Sequence, residues 1–361
     1  MKEKSHRIPS LDGLRAISIL IVVISHFFYG QFTDRPYLTG NLGVRIFFAI
    51  SGFLITNILI NEFEKDSKIN LKLFYFRRAF RIFPAYLFFL GFMMIFTIFG
   101  SLVPSDFFPP LTYTSNYLFS SIPRELQHTW SLAVEEQFYL IFPFVLSFIG
   151  LIRYKKFLVL ILLITPLFRV ITHLASSSNE IEKYISISWN FHNTMDILAT
   201  GCLLALYRDE LHLNGFYRKM LDSKFCFAST LFIIFSAGYF SDDYLTIFYL
   251  FGISLMNLSI VFCIDWLLVN QHSAAAKLTN LRPLKFIGVL SYSIYLWQQI
   301  FAFHDDKLPW THFPLNLILL SAFSLFTYYF VEKTLLVRRQ NLEKELFAEK
   351  SAKNILEPSV N

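Results

Sequence analysis

Arg15 and His26 stand eleven residues apart in an otherwise apolar run. On a helix turning about 100° and rising 1.5 Å per residue, they fall within roughly 20° of one face and about 16 Å apart along the axis. Asp12, Ser18 and Ser25 add polarity near the same face. A guanidinium can hold an anion or a developing oxyanion, and an imidazole can take a proton near neutral pH. Such a stripe predicts one polar track, with an anion-holding end and a proton-taking end.

Two further sets bear on the same chemistry. The segment His128-Thr129-Trp130-Ser131-Leu132-Ala133-Val134-Glu135-Glu136-Gln137-Phe138-Tyr139 carries adjacent carboxylates into an apolar run, where Glu135 or Glu136 could orient and charge-balance His26. The stretch Lys72 to Pro84 holds Arg77, Arg78 and Arg81, with Arg78 and Arg81 at i,i+3. Guanidinium groups grip phosphates in a two-pronged fork, which suits a nucleotide-bearing donor such as coenzyme A. Each set also has a plainer reading: Arg15 snorkelling to headgroups, His26 bonding a neighbouring helix, the glutamates capping a first turn, the arginines anchoring an inner loop. Asp196, close to Asn193 and Gly201, and the small residues within Phe47-Phe48-Ala49-Ile50-Ser51-Gly52-Phe53 read either as function or as packing.

The elements that must position these residues follow from composition. Of 361 residues, 55% are hydrophobic, 18% aromatic and 16% charged, and mean hydropathy is +0.48. A soluble core cannot absorb that, whereas a hydrocarbon slab about 30 Å thick takes about 20 apolar residues per helical crossing. The fold expected is all-α, with about ten transmembrane helices near 11–30, 42–61, 82–100, 130–150, 157–174, 187–207, 226–240, 245–268, 285–303 and 313–336. The spans at 226–240 and 245–268 are separated only by Ser241 to Tyr244, so those two also read as one bent hairpin. The first run is read as a retained helix, because Arg15 interrupts it and no small-residue cleavage site follows. A transmembrane domain over 1–336 precedes a charged tail over 337–361, a helix fraying toward its end.

Basic residues mark cytoplasmic segments. Lys2, Lys4 and Arg7, then Lys65 to Arg81, Arg153 to Lys156, Arg208 to Lys224, Lys277 to Lys285 and Arg338 onward alternate with segments holding only Arg35, Arg124, Lys183 and Lys307. That pattern puts both termini in the cytoplasm. It also assigns the net charge of +6 to topology, with no nucleic-acid partner implied. Cys202, Cys226 and Cys263 lack disulfide-framework or zinc spacing and read as packing residues, so no metal is expected.

Taken in order, these motifs resemble the acyltransferase-3 family of membrane-bound O-acyltransferases. The resemblance runs from Ile8 to about Leu336. It is carried by Ser10-Leu11-Asp12-Gly13-Leu14-Arg15-Ala16 with His26, by Phe47-Phe48 with Ser51-Gly52-Phe53-Leu54-Ile55, and by Arg77-Arg78 with Arg81 and Pro84. Trp130-Ser131-Leu132 with Glu135 to Tyr139, the Asp196 to Gly201 segment, Ser291 to Trp297 and Val331-Glu332-Lys333 complete it. The resemblance implies transfer of an acyl group, commonly acetyl, from cytoplasmic acyl-CoA to a hydroxyl of a cell-surface or lipid-linked glycan, in a multi-pass protein of the bacterial cytoplasmic (inner) membrane. It makes His26 and Arg15 the paired functional residues, with Glu135 or Glu136 the acidic motif and Arg78 and Arg81 the inner-face arginines. Trp130, Ser131, Arg45 and Asp196 become candidates for contact with the acceptor.

The chain departs from the family pattern at Arg45, where many relatives are acidic, at Gln298, where many carry histidine, and at Thr334, where many have proline. Gln298 argues against an essential second histidine there. The C-terminal esterase-like domain common in the family is absent from this sequence, so a stand-alone enzyme is expected, and an oligomer is compatible with it. A transporter or flippase would use Arg15, His26, Glu135 and Asp196 as a path without acyl chemistry; no inverted repeat is visible, which argues against it. An inactive scaffold is disfavoured by the retention of both Arg15 and His26.

Overall fold

In hydrocarbon every backbone N–H and C=O must be satisfied within its own segment, so apolar runs of this length become helices. The computed structural model describes residues 9–28, 40–98, 100–118, 122–175, 188–239, 245–302 and 308–356, with side chains described as far as residue 345. Lys2, Lys4, Arg7, Arg35, Lys183, Lys307, the Ser241–Tyr244 connection and residues 357–361 lie outside the described residues.

Among the described residues the elements are helical throughout. The principal helices are α1 (Pro9–Phe27), α2 (Gly40–Asp66), α3 (Leu71–Met93), α4 (Thr129–Ala175), α5 (Phe191–Leu213), α6 (Gly215–Asp222), α7 (Lys224–Tyr239), α8 (Ile253–Val269), α9 (Ala274–Thr279), α10 (Arg282–Ala302), α11 (Leu315–Phe326) and α12 (Lys333–Leu356). Six helices, or seven when the bent pair α6 and α7 counts as one span, are long and apolar enough to cross a membrane. The protein is a multi-pass membrane protein. The figure of ten expected from the sequence differs for two physical reasons. Helix α4 counts once, although its 47 residues would reach about 70 Å, more than twice the hydrocarbon thickness. Gly150, at φ 74° and ψ 166°, breaks it into two arms, a conformation open to a residue without a Cβ. Helices α5 and α10 fall short because they carry buried polar residues, Asn193 and Asp196 on one and Gln298 and Gln299 on the other.

Helix α1 packs between α2 and α10, and α2 packs closely on α5. The second contact explains the small residues of α2. A Cβ on Gly52 would stand 2.1 Å from the Leu198 carbonyl oxygen, and one on Gly201 2.3 Å from that of Ala49. Two backbones therefore meet where a side chain on either would separate them.

Around this contact runs a buried polar network. Arg169 pairs with Asp196, Asn257 Nδ2 donates to Asp196 Oδ2 at 2.9 Å, and Arg45 donates to Asn257 Oδ1 at 3.0 Å and Asn41 Oδ1 at 2.8 Å. Charges in hydrocarbon survive when matched in this way, and the network links α2, α4, α5 and α8.

Helix α3 begins eleven residues before the span expected at 82, because the Asn70 side chain accepts from the Leu73 N–H at 3.1 Å and caps it. Arg77, Arg78 and Arg81 thus project from helical turns, where the sequence suggested a loop. At the other end of the chain, α11 runs through a π-helical turn, Thr327–Glu332, into α12. The boundary expected at 336 falls inside that helix. Glu343 accepts from Arg77 Nη2 at 3.0 Å, tying α12 to α3.

Candidate functional site

Helices α1 and α2 run antiparallel, and their register fixes the levels of the site. Gly40 lies beside Ser25 and His26, and Gly43 beside Ser18 and Val22. Eleven residues beyond Gly40 along α2, Ser51 falls at the level of Arg15, eleven residues before His26 on α1. The polar stripe of α1 therefore has an arginine end and a histidine end.

At the arginine end, Glu135 of α4 accepts from the hydroxyls of Ser51 on α2 and Tyr139 on α4. Tyr139 follows Glu135 by four residues, one helical turn, so a single face of α4 presents both. Arg78 lies over the Tyr139 ring, its Cζ 3.9 Å from the centroid. Arg15 has Glu135, Tyr139 and Arg78 as electrostatic neighbours and lies 3.8 Å from Asp12. Arg81 faces Arg15, Arg78, Tyr139 and Glu332. Glu332 accepts from Ser293 of α10, and Glu136 is an electrostatic neighbour of Arg78, Tyr86, Tyr113 and Tyr292. Residues from α1, α2, α3, α4, α10 and the turn after α11 thus converge from across the sequence.

The charges at this end are not cancelled pairwise. Arg78 and Arg81 make no hydrogen bond or ion pair with any described residue, and Arg78 Nε is buried with no hydrogen-bond partner. Glu135 bonds hydroxyls, and Arg77, one residue from Arg78, pairs with Glu343. A buried donor without a partner costs about 1–3 kcal/mol. Arg81 is exposed although charged groups surround it. Guanidinium donors without a direct partner are chemically suited to a multiply charged anion such as a phosphate.

At the histidine end, Nδ1 of His26 lies 2.6 Å from Oε1 of Gln298 on α10. Gln298 Nε2 donates to Gln299 Oε1 at 3.3 Å, and Gln299 Nε2 donates to the Arg124 carbonyl at 2.9 Å. His128, just before α4, is 3% exposed and neither ring nitrogen has a hydrogen-bond partner. Its ring meets Phe89 and Tyr295 edge-on, at 5.4 and 5.6 Å between centroids, and it is an electrostatic neighbour of His26.

Most of the expected residues fall at these two ends, with changed pairings. The carboxylate contact foreseen for His26 is not among the described contacts of Glu135 or Glu136; Glu135 sits at the level of Arg15, one to two turns deeper into α4 than His128. Trp130 is buried, stacked on Trp189 at 4.9 Å and edge-on to Phe48. Ser131 bonds the hydroxyl of Tyr295, which also donates to the His128 carbonyl at 3.0 Å. Arg45 and Asp196 belong to the buried network around α2 and α5, and Arg77 to the junction with α12. Sequence reasoning named Tyr139, Ser51, Ser293 and Glu332 within motifs but gave none of them a role at the site, and it gave Gln298 no partner. The i,i+4 spacing of Tyr139 from Glu135 was a readable signal for one of these contacts. An apolar cleft lined by Leu162, Leu203, Leu204, Tyr207, Leu255 and Phe262 contains none of these groups.

A helical membrane protein in which charged motifs from the whole chain meet along one stripe defines a class, and comparison with known proteins names it. The family model described as "Acyltransferase domain" matches residues 8–332, and the chain belongs to this acyltransferase-3 family. It is 30% identical over 359 residues to the O-acetyltransferase OatA of Staphylococcus aureus (strain NCTC 8325 / PS 47), covering 90% of this chain and 56% of that protein. It is 30% identical to the peptidoglycan O-acetyltransferase OatA of Listeria monocytogenes serovar 1/2a, covering 80% and 48%, and 28% identical to the putative peptidoglycan O-acetyltransferase YrhL of Bacillus subtilis (strain 168), covering 92% and 55%. The chain spans about half the length of these relatives. No solved structure matches it.

Proposed function

We propose that this protein transfers an acetyl group from a coenzyme A thioester to a hydroxyl of a cell-wall glycan, with peptidoglycan the acceptor class that the relatives' names suggest. The observation that carries this reading is the pair of unpaired guanidinium groups, Arg78 and Arg81, at one end of a polar stripe whose other end is His26. The alternation of basic segments supports a multi-pass placement in the bacterial cytoplasmic membrane, arginine end inward and histidine end outward.

In this reading Arg78 and Arg81 hold the phosphates of the donor, and the pantetheine arm follows the α1 stripe, so that the thioester comes to rest near His26. The imidazole takes the proton of the acceptor hydroxyl as its oxygen bonds to the acyl carbon. The carbon–sulfur bond then breaks, and the departing thiolate recovers a proton from the imidazolium. Arg15 stabilises the donor at the arginine end, and Glu135 and Glu136 balance its guanidinium groups. Trp130 and Ser131 shape the wall that leads to His128. Arg45 and Asp196 we assign to the frame, since the polar atoms described for them face other buried side chains.

The test is a comparison of cell-wall glycans by mass spectrometry with and without the protein. The expected difference is the mass of one acetyl group per modified sugar. A different acyl mass keeps the class and changes the donor; transport of an acyl compound without label transfer from radiolabelled acetyl-CoA contradicts the reading.

A further inference from the structure

The histidine end contains a chain of hydrogen bonds whose direction can be read without seeing a proton. A backbone carbonyl can only accept, so the Arg124 carbonyl, 2.9 Å from Gln299, requires the Gln299 amide to present its NH2. The Gln299 oxygen must then face the other way, toward Gln298 Nε2 at 3.3 Å. That in turn directs the Gln298 oxygen at His26 Nδ1, 2.6 Å distant. An amide oxygen has no proton to give, so the imidazole nitrogen must be the donor. Gln298 and Gln299 are 0% and 4% exposed, which keeps water from offering either amide an alternative partner.

We infer that Gln298 is the positioning residue of this site: with Gln299 and the Arg124 carbonyl behind it, it holds neutral His26 as the Nδ1–H tautomer, so that Nε2 carries the lone pair that takes the acceptor's proton. The inference rests on the reading of His26 as the base. Nε2 lies toward the start of α2, where a Cβ on Gly40 would stand 3.7 Å from it and 2.8 Å from Ser25 Oγ, so a side chain at position 40 would crowd this nitrogen. Which ring nitrogen carries the proton is set by the bond the other makes, and here a neutral amide does what a carboxylate does in many histidine bases. An amide orients the ring without drawing a proton onto it. Among the described residues, the charged and titratable groups recorded around His26 are Arg124, on the turn before α4, and His128; of α10 the neutral amide of Gln298 meets the ring, and of α2 Gly40 lies beside it.

The test uses the full chain in membranes or detergent, radiolabelled acetyl-CoA, a soluble glycan acceptor, and four variants. H26A first establishes the base reading by loss of transfer. Q298L removes the acceptor from Nδ1 and is expected to lower kcat roughly 10- to 100-fold, with the KM for acetyl-CoA within twofold of the parent. Q298E, nearly isosteric, places a carboxylate against the ring, favours the imidazolium, and is expected to move the acid limb of the pH–rate profile up by about one unit while restoring activity at higher pH. Q299L, which frees the Gln298 amide to turn, is expected to lower kcat severalfold. An inactive H26A combined with a Q298L of parental kcat, or with a Q298E of unshifted profile, overturns this inference alone. An active H26A overturns the base reading beneath it. Should Q298L fail to insert, the Q298E profile decides.

Discussion

The two ends of the α1 stripe solve opposite electrostatic problems. At the arginine end, Arg78 and Arg81 make no direct ion pair or hydrogen bond with a described residue, although Glu136 and Glu332 are electrostatic neighbours, while Glu135 bonds to hydroxyls. At the histidine end, about 16 Å away along α1, the described donors and acceptors of Gln298 and Gln299 are matched in one direction up to a backbone carbonyl. In the proposed function, the end that seizes an anion keeps donors in reserve. The end proposed to move a single proton leaves no ambiguity about where that proton starts.

That contrast can be broken from either side. The largest effect is expected for His26→Ala, with a loss of transfer of 10²–10⁴-fold, the usual worth of a positioned base, at unchanged membrane insertion; activity assays on protein quantified by immunoblot check it. Next comes the double replacement of Arg78 and Arg81 by alanine, which should raise the KM for acetyl-CoA by roughly 100-fold or more, since each of the two charge-assisted contacts is worth about 1.5–3 kcal/mol. Steady-state kinetics with acceptor saturating would show it, and an unchanged KM would remove the phosphates from this end. Tyr139→Phe deletes one hydroxyl from Glu135 and should cost a few-fold in the same KM, sharpening the view that this carboxylate tunes the arginine end. The smallest effect belongs to Arg77→Ala. Its bond to Glu343 is 40% exposed on the arginine side, a pair worth about 0–1 kcal/mol, so kcat and KM should stay within twofold. A change as large as that of the Arg78 and Arg81 pair would return Arg77 to the donor site.

Much of the architecture is legible in the sequence because the bilayer imposes a simple demand, and the α1 stripe is legible because helical periodicity is exact over eleven residues. What the sequence could not supply was level and partner. The depth of Glu135 depends on where α4 begins and on the register of α2 against α1, a tertiary quantity set by contacts such as Gly43 against Ser18. Hence Glu135 meets Ser51 and Tyr139 among its described contacts, and Gln298, 272 residues away in sequence, is the described partner of His26. Arg77, Arg78 and Arg81 looked equivalent as a basic cluster. The helix capped by Asn70 turns the first of them toward α12 and the other two toward Tyr139 of α4. Asp196 and Arg45 drew attention because buried charge is costly, and their described polar partners are other buried side chains, Arg169, Asn257 and Asn41.

The central claim is that donor binding and proton transfer reside at separate ends of one stripe. It is tested most directly by equilibrium binding of radiolabelled acetyl-CoA to the purified protein in its parental form, as H26A, and as the double variant R78A/R81A. The account predicts that H26A binds the donor within about threefold of the parent while its transfer falls roughly 10²–10⁴-fold, and that the double variant loses roughly 100-fold or more in affinity. Donor binding abolished by H26A and preserved in the arginine variant would contradict it.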